Sequence, residues 1–217
     1  MGAASVAGLS NMERHTRPVF RSVIAALALM AMSSSAMAIV VDAQLNSSSG
    51  GVGANTGLVL TAGQAFTVTV AANDLWNAGP IPRWSNADGL TQSILFGPGT
   101  DSQVIAQFPS LNDGDEIGTN WPNDWTQDGF TEDYGTLVGR IGTTFFTLGT
   151  NFNGTAPVSG LLELFYWDEN SFDNSGSINA TVSAVPIPAA AWLLLSGLVG
   201  FGAVARRKAG RDGPMPA

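Results

Sequence analysis

The sequence predicts an all-β fold, an antiparallel β-sandwich or jelly roll, flanked by an N-terminal signal peptide and a C-terminal transmembrane helix. Three observations carry this expectation. Between residues 39 and 184 no amphipathic helical period is visible, and short alternating apolar runs recur between Gly, Asn, Asp and Pro clusters, as in folds built of many short strands joined by turns. Near the start, Arg14, Arg17 and Arg21 precede "VIAALALMAM" and "SSSAMA", the charged, apolar and small-residue succession of an export signal. Near the end, residues 189–205 carry no charge and are followed at once by Arg206, Arg207 and Lys208, which reads as a short membrane helix with a basic cytoplasmic stop.

In chain order, residues 1–38 form the signal peptide, with the cut expected after Ala38. Its apolar run is too short to span a bilayer, which takes about 20 residues. Met12 offers an alternative start, because the residues before it add nothing to the pattern. The exported domain is 39–184. Residues 39–57, "IVVDAQLNSSSGGVGANTG", begin strand-like and end as a polar linker. "AFTVTVA" puts Phe66, Val68 and Val70 on one face and Thr67 and Thr69 on the other. "QSILF", "SQVIAQF", "TLVGRIG", "FFTLG", "GLLELFYW" and "INATVSAV" read as further strands. Leu161, Glu163, Phe165 and Trp167 alternate with Leu162, Leu164 and Tyr166, so both faces are apolar, as suits a central strand. Residues 112–134, rich in Asp and Glu and holding Trp121 and Trp125, read as a long loop or insertion.

Composition removes several classes of function. Residues 39–184 hold 15 Asp plus Glu against only Arg83 and Arg140, a surface that repels nucleic acid and attracts divalent cations. The chain has no Cys, and its single His, His15, lies in the signal. The mature domain therefore lacks Ser-His-Asp and Cys-His nucleophilic sites and the usual zinc ligands. No glycine-rich phosphate loop leads into a helix. Carboxylate pairs suited to glycan hydrolysis are present, but spacing selects none of them. The chain is expected not to be an enzyme, with a carboxylate-dependent glycan hydrolase as an alternative.

One loop stands apart. "WDENSFDNSGS", residues 167–177, crowds Asp168, Glu169, Asn170, Ser171, Asp173, Asn174 and Ser175 between two strands with no cation among them. A solvated turn would use the same residue types. Calcium, which takes six to eight oxygen ligands, would also use them. The loop lacks the alternating Asp pattern, central Gly and terminal Glu of an EF-hand.

"GPIPRW" (79–84), "GTLVGRIG" (135–142) and "APVSGLLELFYWDENSFDNSGSINATV" (156–182) together resemble the PA-I type galactophilic lectins, calcium-dependent bacterial β-sandwiches, over residues 65–182. The resemblance implies calcium held by Asp168, Asp173, Asn174 and the backbone carbonyl of Ala78, with Ser171 standing for a family Thr and Asn170 as the alternative. It implies that sugar hydroxyls complete the calcium shell. The family's sugar-fixing His and Gln are not matched in "WSNADGLTQ"; Asn86, Asp88 or Gln92 are the candidate substitutes, and Asn86 and Asp88 with Asp168 and Asp173 make the carbohydrate set. Trp121 and Trp125 are the sugar-platform candidates, Trp84 and Trp167 read as core, and Arg140 reads as a paired structural charge.

At the C-terminus, Val185-Pro186-Ile187-Pro188-Ala189, the apolar span 189–205 and the cluster Arg206, Arg207, Lys208 resemble the VPxPA variant of the PEP-CTERM sorting domain, over residues 185–217. That family occurs in Gram-negative bacteria, is processed by an exosortase, and is associated with extracellular polysaccharide and biofilm. The implied path is export across the inner membrane, transient anchoring there by the helix, then the cell surface or beyond. The combined expectation is a surface-sorted, calcium-dependent glycan-binding protein. The alternative is a structural matrix protein with a calcium-stapled sandwich and no sugar site.

Overall fold

The computed structural model describes residues 36–79 and 82–185. The expected signal up to residue 35, the sorting motif from Pro186 onward, the helix 189–205 and the basic end lie outside the described residues. Among the described residues no helix is long and apolar enough to cross a membrane.

Two antiparallel sheets make the body. The strands are β1 (Ala36–Asp42), β2 (Ala54–Leu60), β3 (Ala65–Thr69), β4 (Trp76–Asn77) and β5 (Trp84–Ser85), then the pairs β6 (Ile94–Leu95) with β7 (Glu116–Gly118) and β8 (Asp124–Gln127) with β9 (Phe130–Asp133), which lie outside the two main sheets. They continue with β10 (Leu137–Ile141), β11 (Thr144–Thr147), β12 (Asn151–Thr155), β13 (Gly160–Tyr166) and β14 (Ser175–Ala184). One sheet runs β12-β3-β14-β4-β5 with β1 also on β14, and the other runs β11-β10-β13-β2. Their inner faces share a core. Val41, Phe66, Val68, Ile178, Ala180 and Val182 come from the first, and Leu60, Leu137, Ile141, Leu162, Leu164 and Tyr166 from the second. The alternation expected of 65–70 is met, since Phe66, Val68 and Val70 are all buried. β13 is central, between β10 and β2. Its outer face is covered by a second cluster in which Phe165 and Trp167 pack with Val138 and Phe145. Arg140 pairs with Glu163 across this face at 2.8 Å.

β14 explains the short helix. One edge of β14 pairs with β1 from Ser177 to Ser183. The other edge pairs with β4 at Ser175 and Gly176 and with β3 from Thr181 onward, leaving residues 177–180 without a strand partner there. Side chains fill the gap. Gln103 accepts from Ser177 N (3.1 Å) and donates to Ser177 O (2.6 Å), and Asp74 accepts from Asn179 N (2.7 Å). Gln103 is delivered by α1 (Ser102–Gln107), capped by Asp101, whose carboxylate accepts from Gln103 N. The segment "SQVIAQF", expected as a strand, is therefore helical. Only Val104 of it is buried, so its core contribution is one residue and its alternation carried no packing information. Gln103→Ala strips these bonds and the one Ser177 Oγ donates to Gln103 (3.3 Å), and is expected to cost about 1–2 kcal/mol in a denaturant titration, with the fold retained.

The segment 112–134, expected as a loop, contains β7 and the hairpin β8–β9. The hairpin closes through Asp128 and Gly129, both in the left-handed region at φ 53° and 80°, the geometry of a tight two-residue turn. Residues 43–53, expected as a polar linker, are a folded brace. Asp42 accepts from Gln44 N and Leu45 N, and Asn46 accepts from Asp42 N and donates to Val52 O. The brace then runs beside the end of β13, where Ser48 N donates to Tyr166 O (2.8 Å) and Tyr166 N to Asn46 O (2.9 Å).

Candidate metal and carbohydrate site

The loop 168–174 connects β13 to β14 and cannot satisfy its own backbone. Ser47 and Ser48, both buried, do it from more than a hundred residues away. Ser48 Oγ donates to Asp168 O (3.0 Å) and accepts from Asp168 N (3.2 Å), and Ser47 Oγ donates to Asn170 O (3.2 Å). Asn174 Nδ2 donates to Ala43 O (3.2 Å) and Asn170 O (3.0 Å). With its amide nitrogen spent on the backbone, Asn174 presents its oxygen elsewhere.

The register of β14 on β4 brings in the next element. Ser175 lies opposite Asn77, so the chain leaving β4 at Ala78 passes the loop. Gly79, at φ 102°, lies so close that a Cβ there would stand 2.5 Å from Asp173 Oδ2. The turn closes through Ala78 N donating to Arg83 O (3.1 Å). Among the described residues no donor reaches the Ala78 carbonyl.

Ala78, Asp168, Asn170 and Asp173 line one cavity of about 370 Å³, together with Arg83, Leu90, Trp121, Asn123, Asp124, Tyr134 and Glu169. Asn170 Oδ1, Asp173 Oδ1 and Asn174 Oδ1 are buried and have no hydrogen-bond partner. A buried acceptor left unmade costs about 1–3 kcal/mol, so neighbouring orphans call for something that accepts nothing and attracts oxygen. Asp168 is buried, and burial pushes its pKa up to about 6, with the Asp173 carboxylate adding to the shift. Burial also lifts Tyr134 to about 12, reinforced by Glu169 and Asp168.

Hard oxygen donors without nitrogen or sulfur fit calcium. Among the described residues no group of three or more His, Cys, Asp or Glu could hold a metal ion by itself, so an ion here would depend on amide and backbone oxygens as well as Asp168 and Asp173. The residues that would hold it are Asp168, Asp173, Asn174, Asn170 and the Ala78 carbonyl.

The other expected residues are placed as follows. Ser171 does not line the cavity; its Oγ stands beside Gly50, and Asn170 occupies the cavity wall. Asn86 is buried and committed, accepting from Asp88 N (2.9 Å) and donating to Ala72 O (3.4 Å). Asp88 holds Thr150 through N (2.7 Å) and Oγ1 (2.9 Å). Neither lines the cavity, and Gln92 lines a separate one. Trp84 and Trp167 are core, at 1 % and 0 % exposure. Trp121 reaches the cavity, whereas Trp125 packs against the Trp167 cluster and its backbone oxygen accepts from Trp167 Nε1. Sequence reading missed Arg83, Tyr134 and the two serines. Nothing local marks Ser47 and Ser48, because their role appears only when 43–53 folds against 168–170.

No family model and no curated protein matches the chain. Among solved structures, a chain described as "EclA N-terminal domain; PllA-like lectin" is similar at TM-score 0.41 and 19 % identity, covering 69 % of this chain and 95 % of that one.

Proposed function

We propose that the described domain is a calcium-dependent carbohydrate-binding module. The observation that carries the reading is the pair of buried, unpartnered oxygens on Asn170 and Asp173, in the loop after β13 and in the same cavity wall as Asp168 and Ala78, with a third such oxygen on the adjoining Asn174, which does not itself line the cavity. The motif resemblance of 156–182 supports it independently. A bound calcium ion would offer coordination positions to vicinal sugar hydroxyls. The chain's part is to hold the oxygens: Ser47 and Ser48 fix the loop backbone, Gly79 admits the chain beside Asp173, and the lining from Arg83 to Tyr134 shapes the opening.

The sorting segment supports placement at the surface of a Gram-negative cell, through inner-membrane export, an exosortase and transient anchoring by 189–205, with extracellular polysaccharide as the partner. This part rests on Val185, Pro186, Pro188, Ala189 and the basic cluster in the sequence. A glycan array probed with and without chelator tests the function. The expected result is retention on some glycans in calcium and loss in chelator. Calcium binding without any glycan retention would favour the structural matrix protein, and release of reducing sugar would favour the hydrolase.

A further inference from the structure

Resting on that reading, we infer that Arg83 is the specificity-determining residue of the sugar site and that the preferred ligand is an acidic saccharide, a uronate whose hydroxyls meet the ion while its carboxylate meets Arg83. The described domain has two cations. Arg140 is spent on Glu163 and lies over Phe165 on the outer face of β13. Arg83 forms no ion pair with any carboxylate among the described residues, and its guanidinium makes no hydrogen bond there, although Asp124, Glu169 and Asp173 line the same cavity.

What holds Arg83 away from them is Trp121. The guanidinium lies 4.1 Å from the Trp121 ring centroid, and the half-buried indole packs against the main core. Trp121 is therefore a pedestal and not an open stacking platform: core lies against it and Arg83 covers it. The same turn that carries Ala78 into the loop carries Arg83, through the Ala78 N to Arg83 O bond. Cation donor and ion-ligating carbonyl are thereby placed on one short segment at one opening.

A divalent ion matches the charges of Asp168 and Asp173. That leaves the planar guanidinium fork, which suits a carboxylate through paired bonds. A neutral hydroxyl could meet only one arm of that fork and would leave its paired donors without a matching acceptor. With Asp124 and Glu169 in the same lining, an acidic ligand lacking the Arg83 contact meets net repulsion, so Arg83 decides whether a uronate is admitted.

The test uses the calcium-saturated protein with methyl glycosides of galacturonic, glucuronic and mannuronic acid, each against its neutral counterpart. At least one uronate is expected to bind about tenfold more tightly than its neutral match. Arg83→Gln is expected to erase that preference and Arg83→Lys to restore part of it, with a calcium titration of each variant reporting whether the ion site is intact. Neutral sugars binding as well as uronates, or a preference that survives R83Q with the ion site intact, overturns the inference and leaves the carbohydrate-binding reading standing. No sugar of either kind binding, while calcium still titrates, overturns both.

Discussion

In the absence of calcium at neutral pH, Asp168→Asn is expected to raise the melting temperature, and in calcium it is expected to lower it relative to the natural chain. The inversion follows from the Asp168 pKa, which burial raises to about 6 from 3.8. An unfolded aspartate loses its proton near pH 4. Between about pH 4 and 6 the folded state therefore binds more protons than the unfolded state, and stability falls as pH rises through that window. Above it the ionised carboxylate penalises the metal-free fold by about 2–3 kcal/mol. The amide keeps the shape and removes the penalty, so the variant's metal-free stability should fall less steeply across the window, the remaining slope coming from other carboxylates lifted by burial such as Asp74 and Asp133.

Calcium reverses the balance, because the ion requires the deprotonated carboxylate and its affinity falls as pH drops through about 6. Losing one charged ligand should weaken calcium binding on the order of a hundredfold. Melting curves of both proteins, with calcium and with chelator, near pH 5 and near pH 7.5, check every sign. A metal-free variant no more stable than the natural chain would remove Asp168 as the strained group.

Trp76→Ala is expected to cost about 3–5 kcal/mol, a large share of the roughly 5–15 kcal/mol that holds a domain folded. Trp76 is fully buried, meets Tyr166 edge-on at 4.6 Å, and donates through Nε1 to Gly135 O at 2.9 Å and to Asn86 O at 3.3 Å. Removing the indole opens a cavity between the sheets and strips the donor from both buried carbonyls. Because β4 leads directly into Ala78 at the site, calcium affinity should fall with stability. Trp125→Ala, a half-buried ring over the outer cluster, should cost visibly less in the same urea titration. Equal costs would mean that the inter-sheet core is not where stability resides.

The strands that face both layers were legible because burial imposes alternation on them. Residues 65–70 and 160–167 carry large apolar side chains at a period of two, and each packs as that period demands. Where an element contributes little to the core, the signal fails. Helix α1 buries Val104 alone and exists to present Gln103 to β14. Its one local mark was Asp101 at the cap. The β8–β9 hairpin is polar on its open face, and its mark was the Asp128-Gly129 pair inside "TQDGFT".

The site was legible in its oxygens but not in its support. Asp168, Asp173 and Ala78 line one cavity, because β14 pairs β4 directly after the loop. The exchange of Ser171 for Asn170 on the cavity wall is a matter of loop path. The serine brace and the Arg83–Trp121 pair depend on contacts between distant segments, which a local reading cannot see.

On the proposed reading, the loop between β13 and β14 closes around a divalent ion. A calorimetric titration of calcium into chelator-stripped protein at neutral pH tests it most directly. One saturable site per chain is expected, with an unfolding free energy that rises with calcium by about 2.7 kcal/mol at a hundredfold excess over Kd and a melting temperature that rises with it. Absence of saturable binding, together with identical melting in calcium and in chelator, would contradict it.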